Sequence, residues 1–278
     1  MTPHKTPTIR EHIEALRNKS TTPEETIASF TEEAKTISKR YHYITTFCNE
    51  TTTKGILTGL PVTVKDCLCV RGVETKASSA ILEGYKPVFN ATSVQRVLDK
   101  GATITGKTAQ DEFGYGGFAV NTGIGFEIPT NPHDESRVCG GSSGGSAGIT
   151  SATTKPHFSI AESTGGSIVT PASYCGVVGL CPTYGRVSRY GLLDYANSLD
   201  KIGPITKTVE DAAFALEILS GRDEKDPTSS HENVPSYTKA LGKSVKGMRI
   251  GIIAPEGTDE SILNNVHDTK ELLEELGA

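Results

Sequence analysis

Apolar residues recur at helical spacing over residues 8–17 and 23–40. The second stretch opens with Thr22 as N-cap, Pro23 at the first helical position and acids in the first turn, which satisfies free amide groups and complements their partial charge. Both stretches belong to an N-terminal helical layer expected within residues 1–50. The period then changes. Gly59-Leu-Pro-Val-Thr-Val-Lys65-Asp66 alternates and predicts a strand ending at Lys65. Further along, the pattern predicts a helix over 93–100, a strand over 102–106, an amphipathic helix over 209–219, a polar loop over 223–235, a strand over 249–253 and a helix over 259–276. Strands alternating with helices predict an α/β fold, a central mixed β-sheet flanked by helices. Residues 59–221 form the core of a single domain and residues 246–278 open a further βα unit. Because the chain ends on Gly277-Ala278, a helix-stop signal where that pattern calls for another strand, the unit is expected to continue in a longer protein.

Composition narrows the class. With 278 residues, 36% hydrophobic and 22% charged, the chain is globular in character and can bury a sizeable core. It has no run of about 18 apolar residues to span a bilayer, and its N-terminus lacks the apolar centre of a secretory signal, so a cytoplasmic location without membrane attachment is expected. The net charge of -5 gives no global attraction to a phosphate backbone. The six cysteines form no CxxC pair and stand with no histidine at zinc-ligand spacing, so they read as reduced thiols and no metal is expected. The 29 glycines concentrate between Gly114 and Gly191, where backbone turns tightly or approaches a ligand.

Two glycine patterns in the chain are decoys. Gly101-Ala-Thr-Ile-Thr-Gly106-Lys107-Thr108 fits GxxxxGK[ST], but a phosphate loop follows a strand and precedes a helix. Here a helix precedes, and Ala-Thr-Ile-Thr favours a strand. Gly141-Ser142-Ser143-Gly144-Gly145 fits GxSxG, which needs an acid and then a histidine downstream. His157, His231 and His267 are the downstream histidines, none in a motif-like setting.

A longer pattern is more specific: Cys139-Gly-Gly-Ser142-Ser143-Gly-Gly-Ser146-Ala147-Gly148, then Glu162-Ser163-Thr164-Gly165-Gly166-Ser167-Ile168 and Pro171-Ala172. With the strand ending in Lys65-Asp66, these blocks resemble the amidase signature family. A flexible glycine-serine linker would not hold Ile168, Val169, Val177, Val178 and Leu180 so close behind. The resemblance implies a Ser-Ser-Lys triad: Ser167 as nucleophile, Ser142 as a bridging residue on a cis peptide bond, and Lys65 as base. It also implies an oxyanion hole of backbone N–H groups from Thr164, Gly165, Gly166 and Ser167. Taken alone, a strand-end lysine followed by aspartate reads as a surface charge; the motif context reverses that reading. A serine hydroxyl needs a base within hydrogen-bond reach, and a lysine can serve in its neutral form, which burial favours. Ser143 and Ser146 read as loop hydrogen-bond donors, with Ser143 also a candidate substrate contact.

The segments 175–191 and 196–204 resemble one branch of that family, the A-type subunits of glutamyl-tRNA(Gln) amidotransferases, as does Asp111-Glu-Phe-Gly-Tyr115-Gly116. That branch implies substrate-binding roles for Tyr115 and Gly116. It implies glutamine as substrate, ammonia passed to a partner subunit in a heteromer, and tRNA held mainly by that partner. No cofactor is expected in this chain, and ATP with magnesium belongs to the partner. Departures remain: Ser163 and Val169 replace an acid and an arginine of the usual block, expected as a pair lost jointly. The Ser142–Ser167 spacing is slightly long, with the extra residue expected over 150–156. A stand-alone amidase acting on other amides and an inactive homologue kept as an interaction subunit stay open.

Overall fold

The computed structural model describes residues 6–253 and 255–278, and the chain divides into two compact units, Met1–Tyr237 and Thr238–Ala278. The first begins with α1 (Ile9–Arg17) and α2 (Pro23–Tyr41). Thr8 and Thr22 each cap their helix on the amide three residues on, and Glu11 and Glu25 return the bond, a reciprocal capping box. The helical layer stops short of residue 50. Ile44–Glu50 is a strand, β1, because Ile-Thr-Thr-Phe is β-branched and aromatic and lies beside an open sheet edge.

The remaining elements are β2 (Pro61–Lys65), α3 (Thr92–Asp99), β3 (Thr103–Thr108), α4 (Gly144–Ala152), β4 (Phe158–Ser163), α5 (Val169–Tyr174), β5 (Val178–Gly179), β6 (Lys201–Thr206) and α6 (Val209–Leu219). The sheet is mixed, in the order β1-β3-β2-β4-β6-β5. Its centre is parallel, β2 pairing with both β3 and β4. Its flanks are antiparallel, β1 on β3, and β6 on β4 and β5.

Period-two alternation decides what each face holds. Val62 and Val64 of β2 and Phe158 and Ile160 of β4 join a fully buried apolar cluster with Ile104, Val94, Leu98 and Leu216. The residues between them, Thr63, Lys65, Ser159 and Ala161, point the other way. On that face the Thr63 hydroxyl meets Ser159 at 2.7 Å and His157 Nε2 at 2.9 Å, and Ser159 bonds Thr150 of α4 at 3.0 Å. α4 approaches closely because its glycines permit it: a Cβ on Gly148 would stand 2.2 Å from the Tyr43 ring.

The second unit holds a short 3₁₀ turn and α7 (Glu260–Glu275), capped by Asp259. The strand expected over 249–253 is irregular chain there, with Ile250, Ile252 and Ile253 all exposed. Alternation marks a segment able to pair, but a strand exists only with a hydrogen-bonded neighbour, and among the described residues none lies beside it.

Candidate active site

Ligands of α/β sheets sit beyond the carboxyl ends of parallel strands, where helix N-termini gather. Here β2 ends at Lys65 and β4 at Ser163, and the turn after β4 leads through Thr164-Gly-Gly-Ser167 into α5. Ser142 and Ser143 lie just before α4, so two serine-bearing loops converge on one sheet end. The Ser143 amide donates to the Ser167 carbonyl at 3.3 Å, tying the loops together. The Gly141–Ser142 peptide is cis.

Lys65 is wholly buried, and its Nζ meets three oxygens: Ser142 Oγ at 2.7 Å, the Glu162 carbonyl at 3.1 Å and Glu162 Oε2 at 2.8 Å. Ser167 is 8% exposed. Its hydroxyl bonds no protein group among the described residues, and the amides of Gly165, Gly166 and Ser167 likewise reach no protein acceptor. Backbone donors left free in a turn can bind a developing oxyanion. Thr164 uses its hydroxyl otherwise, donating to Asp200 Oδ1 at 2.6 Å beside Glu162 Oε1 at 3.0 Å.

The other candidates stand around this centre. Tyr115 is 59% exposed and packs its ring 4.2 Å from that of Tyr195. A Cβ added at Gly114 would lie 3.7 Å from Ser142 Oγ and 3.8 Å from both Glu162 Oε2 and Tyr195 Cβ, so this loop walls the site. A Cβ added at Gly116 or Gly141 would run into the Asp111 carboxylate, at 2.3 and 2.2 Å, and that carboxylate accepts the Ala119 and Asn121 amides at 3.0 and 2.8 Å. Ser143 is buried and its hydroxyl donates to the Glu162 carbonyl at 3.1 Å. Ser146 bonds Thr108 at 2.6 Å beneath the loop.

Two other buried ionisable groups lie nearby in the fold, Cys67 and His157. Burial pushes the Cys67 thiol up to about 12, so it stays protonated and a poor nucleophile. Burial, reinforced by the Lys207 charge, pushes His157 down to about 3; its ring bonds Thr63 and stacks on Phe30 at 4.9 Å. Lys107, the lysine of the GxxxxGK decoy, lies in strand β3 and is fully buried against Asp66 at 3.0 Å and Thr75 at 2.9 Å. Among the described residues no three His, Cys, Asp or Glu side chains gather as a metal site.

Sequence reasoning did not assign Glu162, Asp200, Asp111 or the Lys107–Asp66 pair. A signal for Glu162 was present: it is the one ionisable residue of Phe-Ser-Ile-Ala-Glu-Ser, and a charge in a buried strand needs a partner.

The comparisons with known proteins agree on this chain's kin. Residues 9–278 match the family described as Amidase. The A-type subunit of the glutamyl-tRNA(Gln) amidotransferase of Persephonella marina is 43% identical over 97% of this chain and 59% of its own length. That of Gloeobacter violaceus is 48% identical over 81% of this chain and 46% of its own. Among solved structures, the corresponding glutamyl-tRNA(Gln) amidotransferase chain from Thermotoga maritima superposes with a TM-score of 0.84 at 37% identity, covering 98% of this chain and 60% of that one. The peptide amidase of Stenotrophomonas maltophilia gives 0.89 at 27% identity, over 99% and 61%. The chain thus spans about three fifths or less of the length of these relatives.

Proposed function

Since this chain belongs to the amidase family, we propose that it is the glutamine-hydrolysing part of a glutamyl-tRNA(Gln) amidotransferase, working through Ser167, Ser142 and Lys65. The observation that carries the reading is the Lys65–Ser142 bond of 2.7 Å between two wholly buried side chains, beside a loop whose Ser167 hydroxyl has no protein partner among the described residues. The similarity to the A-type subunits supplies the substrate class.

In this reading the Ser167 oxygen attacks the side-chain carboxamide carbon of glutamine. Ser142 takes the Ser167 proton while passing its own to the Lys65 amine. The carbonyl oxygen becomes an oxyanion in the turn of Thr164, Gly165, Gly166 and Ser167, whose amides stabilise it. Removing one such donor typically costs about 3 kcal/mol of barrier. Collapse breaks the C–N bond, the proton returns from Lys65 through Ser142 to the leaving nitrogen, and ammonia departs. The glutamyl ester on Ser167 is then hydrolysed by water, activated by the same pair. Tyr115, Gly116 and the Ser143 loop border the glutamine subsite. The ammonia goes to a partner subunit, which holds tRNA, ATP and magnesium.

The test is release of ammonia and glutamate from glutamine by the purified protein, with and without its partner subunits and charged tRNA. Ser167→Ala and Lys65→Ala should each lower turnover at least about a thousandfold with unchanged melting behaviour for the serine variant. Turnover surviving Ser167→Ala sinks the mechanism. Hydrolysis of simple carboxamides, with no activity on glutamine, would favour a stand-alone amidase instead.

A further inference from the structure

The acid nearest the reacting groups is not assigned by the triad. Glu162 is the penultimate residue of β4 and 3% exposed. One carboxylate oxygen lies 2.8 Å from Lys65 Nζ and the other 3.0 Å from the Thr164 hydroxyl, which itself bonds Asp200 Oδ1 at 2.6 Å. The second oxygen of Asp200 accepts the amides of Tyr195 and Ala196 at 2.9 and 2.8 Å. Lys201 Nζ bonds the Thr164 carbonyl at 2.9 Å. A continuous polar chain therefore runs from the Lys65 nitrogen, through the turn of free amides, to the loop whose Tyr195 packs on Tyr115.

We propose that Glu162 is a positioning residue for proton transfer: it clamps Lys65 Nζ against Ser142 and holds a negative charge beside it, and through Thr164 and Asp200 it locks the Tyr195 loop to the same frame. This rests on the Ser167–Ser142–Lys65 reading above. The geometry gives the bond a reach into the reacting groups: Lys65 Nζ is 2.8 Å from Glu162 Oε2 and 2.7 Å from Ser142 Oγ. The same Lys65 nitrogen that faces Ser142 faces the carboxylate, so charge and distance at the base change together when the carboxylate is altered. The other charged groups near Lys65 are already matched: Asp66 is bound to Lys107, Asp111 to two amides, Asp200 to two amides and Thr164, and Lys201 to the Thr164 carbonyl. The Cys67 thiol beside them stays protonated.

An opposite charge beside an amine favours its protonated form, whereas the reaction needs the amine. Glu162→Gln keeps the shape and removes the charge; Glu162→Asp keeps the charge and withdraws it by one methylene. The experiment measures how fast a fluorophosphonate probe labels Ser167, across pH, in the wild-type protein and both variants. The Ser167 oxygen bonds phosphorus, fluoride leaves, and the Ser167 proton goes to Ser142 as Ser142 passes its own to the Lys65 amine, so no glutamine is required. The labelled residue is mapped by mass spectrometry, and folding is checked by melting.

Glu162→Gln should move the rising limb of the pH–rate curve toward acid by about one pH unit. Glu162→Asp should move the limb less than Glu162→Gln does and lower its plateau about tenfold, the loss expected when a base is pulled out of line. A Gln curve superimposed on the wild type, or lowered without moving, overturns the inference. If the Gln variant does not fold, the Asp variant decides: a plateau equal to wild type overturns it. Labelling that follows the expected pattern in a protein that turns over no glutamine leaves the inference standing and defeats only the substrate assignment. A wild-type Ser167 that takes no label defeats both.

Discussion

Two lysines sit fully buried in adjacent strands, and their partners give them different characters. Lys65 faces a serine, a carbonyl and a carboxylate at the open end of the sheet. Lys107 faces Asp66 and Thr75 with no exposed atom on either charge. Breaking a buried ion pair by removing one partner costs about 3–5 kcal/mol, because the other charge is stranded, while replacing both with apolar groups is often neutral. Lys107→Met should therefore lower stability by about that amount in a denaturant melt, and adding Asp66→Leu should recover most of it. Ser142, Ser167 and Lys65 were singled out in sequence because their blocks together resemble the amidase signature, and the structure brings the Lys65 nitrogen within 2.7 Å of Ser142 Oγ. Lys107 was not: Gly-Lys-Thr reads the same in a phosphate loop and in a strand, and only pairing of β3 with both β1 and β2 reveals a buried position.

Among the elements, α1 and α2 were readable locally from capping boxes and apolar spacing, α3 and α6 from apolar spacing, and β2 from alternation. The glycine-rich α4 and the strand β6 were not. Gly144-Gly-Ser-Ala-Gly has poor helix propensity and forms α4 only because tertiary contact rewards the absence of side chains. β6 contains Gly203 and Pro204, both strand breakers, but a Cβ at Gly203 would stand 2.1 Å from the Leu180 carbonyl, and the Pro204 carbonyl accepts the Leu180 amide at 3.0 Å. The substitution Gly148→Ala pits two effects against each other. Helix propensity gains about 1 kcal/mol, whereas a methyl 2.2 Å from a buried Tyr43 ring atom forces repacking at about 1–3 kcal/mol. The second wins because Tyr43 is wholly buried and its hydroxyl is bonded to the Thr130 carbonyl at 2.7 Å. The melting temperature should fall by a few degrees, roughly 2–4 °C per kcal/mol at this size.

Stability of the whole molecule is linked to pH through His157. Its ordinary value near 6.5 is lowered to about 3 in the fold, by burial first and by the Lys207 charge second. The folded protein binds this proton less readily than the unfolded chain does. The resulting stabilisation is complete above about 6.5 and is lost as pH falls from there toward 3. His12, lowered by burial, contributes with the same sign. Denaturant midpoints measured across that range should fall with acid, and His157→Gln, which keeps a polar partner for Thr63, should flatten the slope; an unchanged slope would refute the assignment.

The parallel pairing of β2 with β4 also has a consequence for the order of events at the ribosome. Lys65 and Glu162 are separated by 97 positions, and β4 is flanked on its other side by β6, which ends at Thr206. A chain emerging N-terminus first can form α1, α2 and the β1–β3 neighbourhood early, but contacts this distant in sequence close late. Lys65 thus stays hydrated until β4 has been made and has docked beside β2, so its burial is a late event of synthesis and not one that follows its own translation.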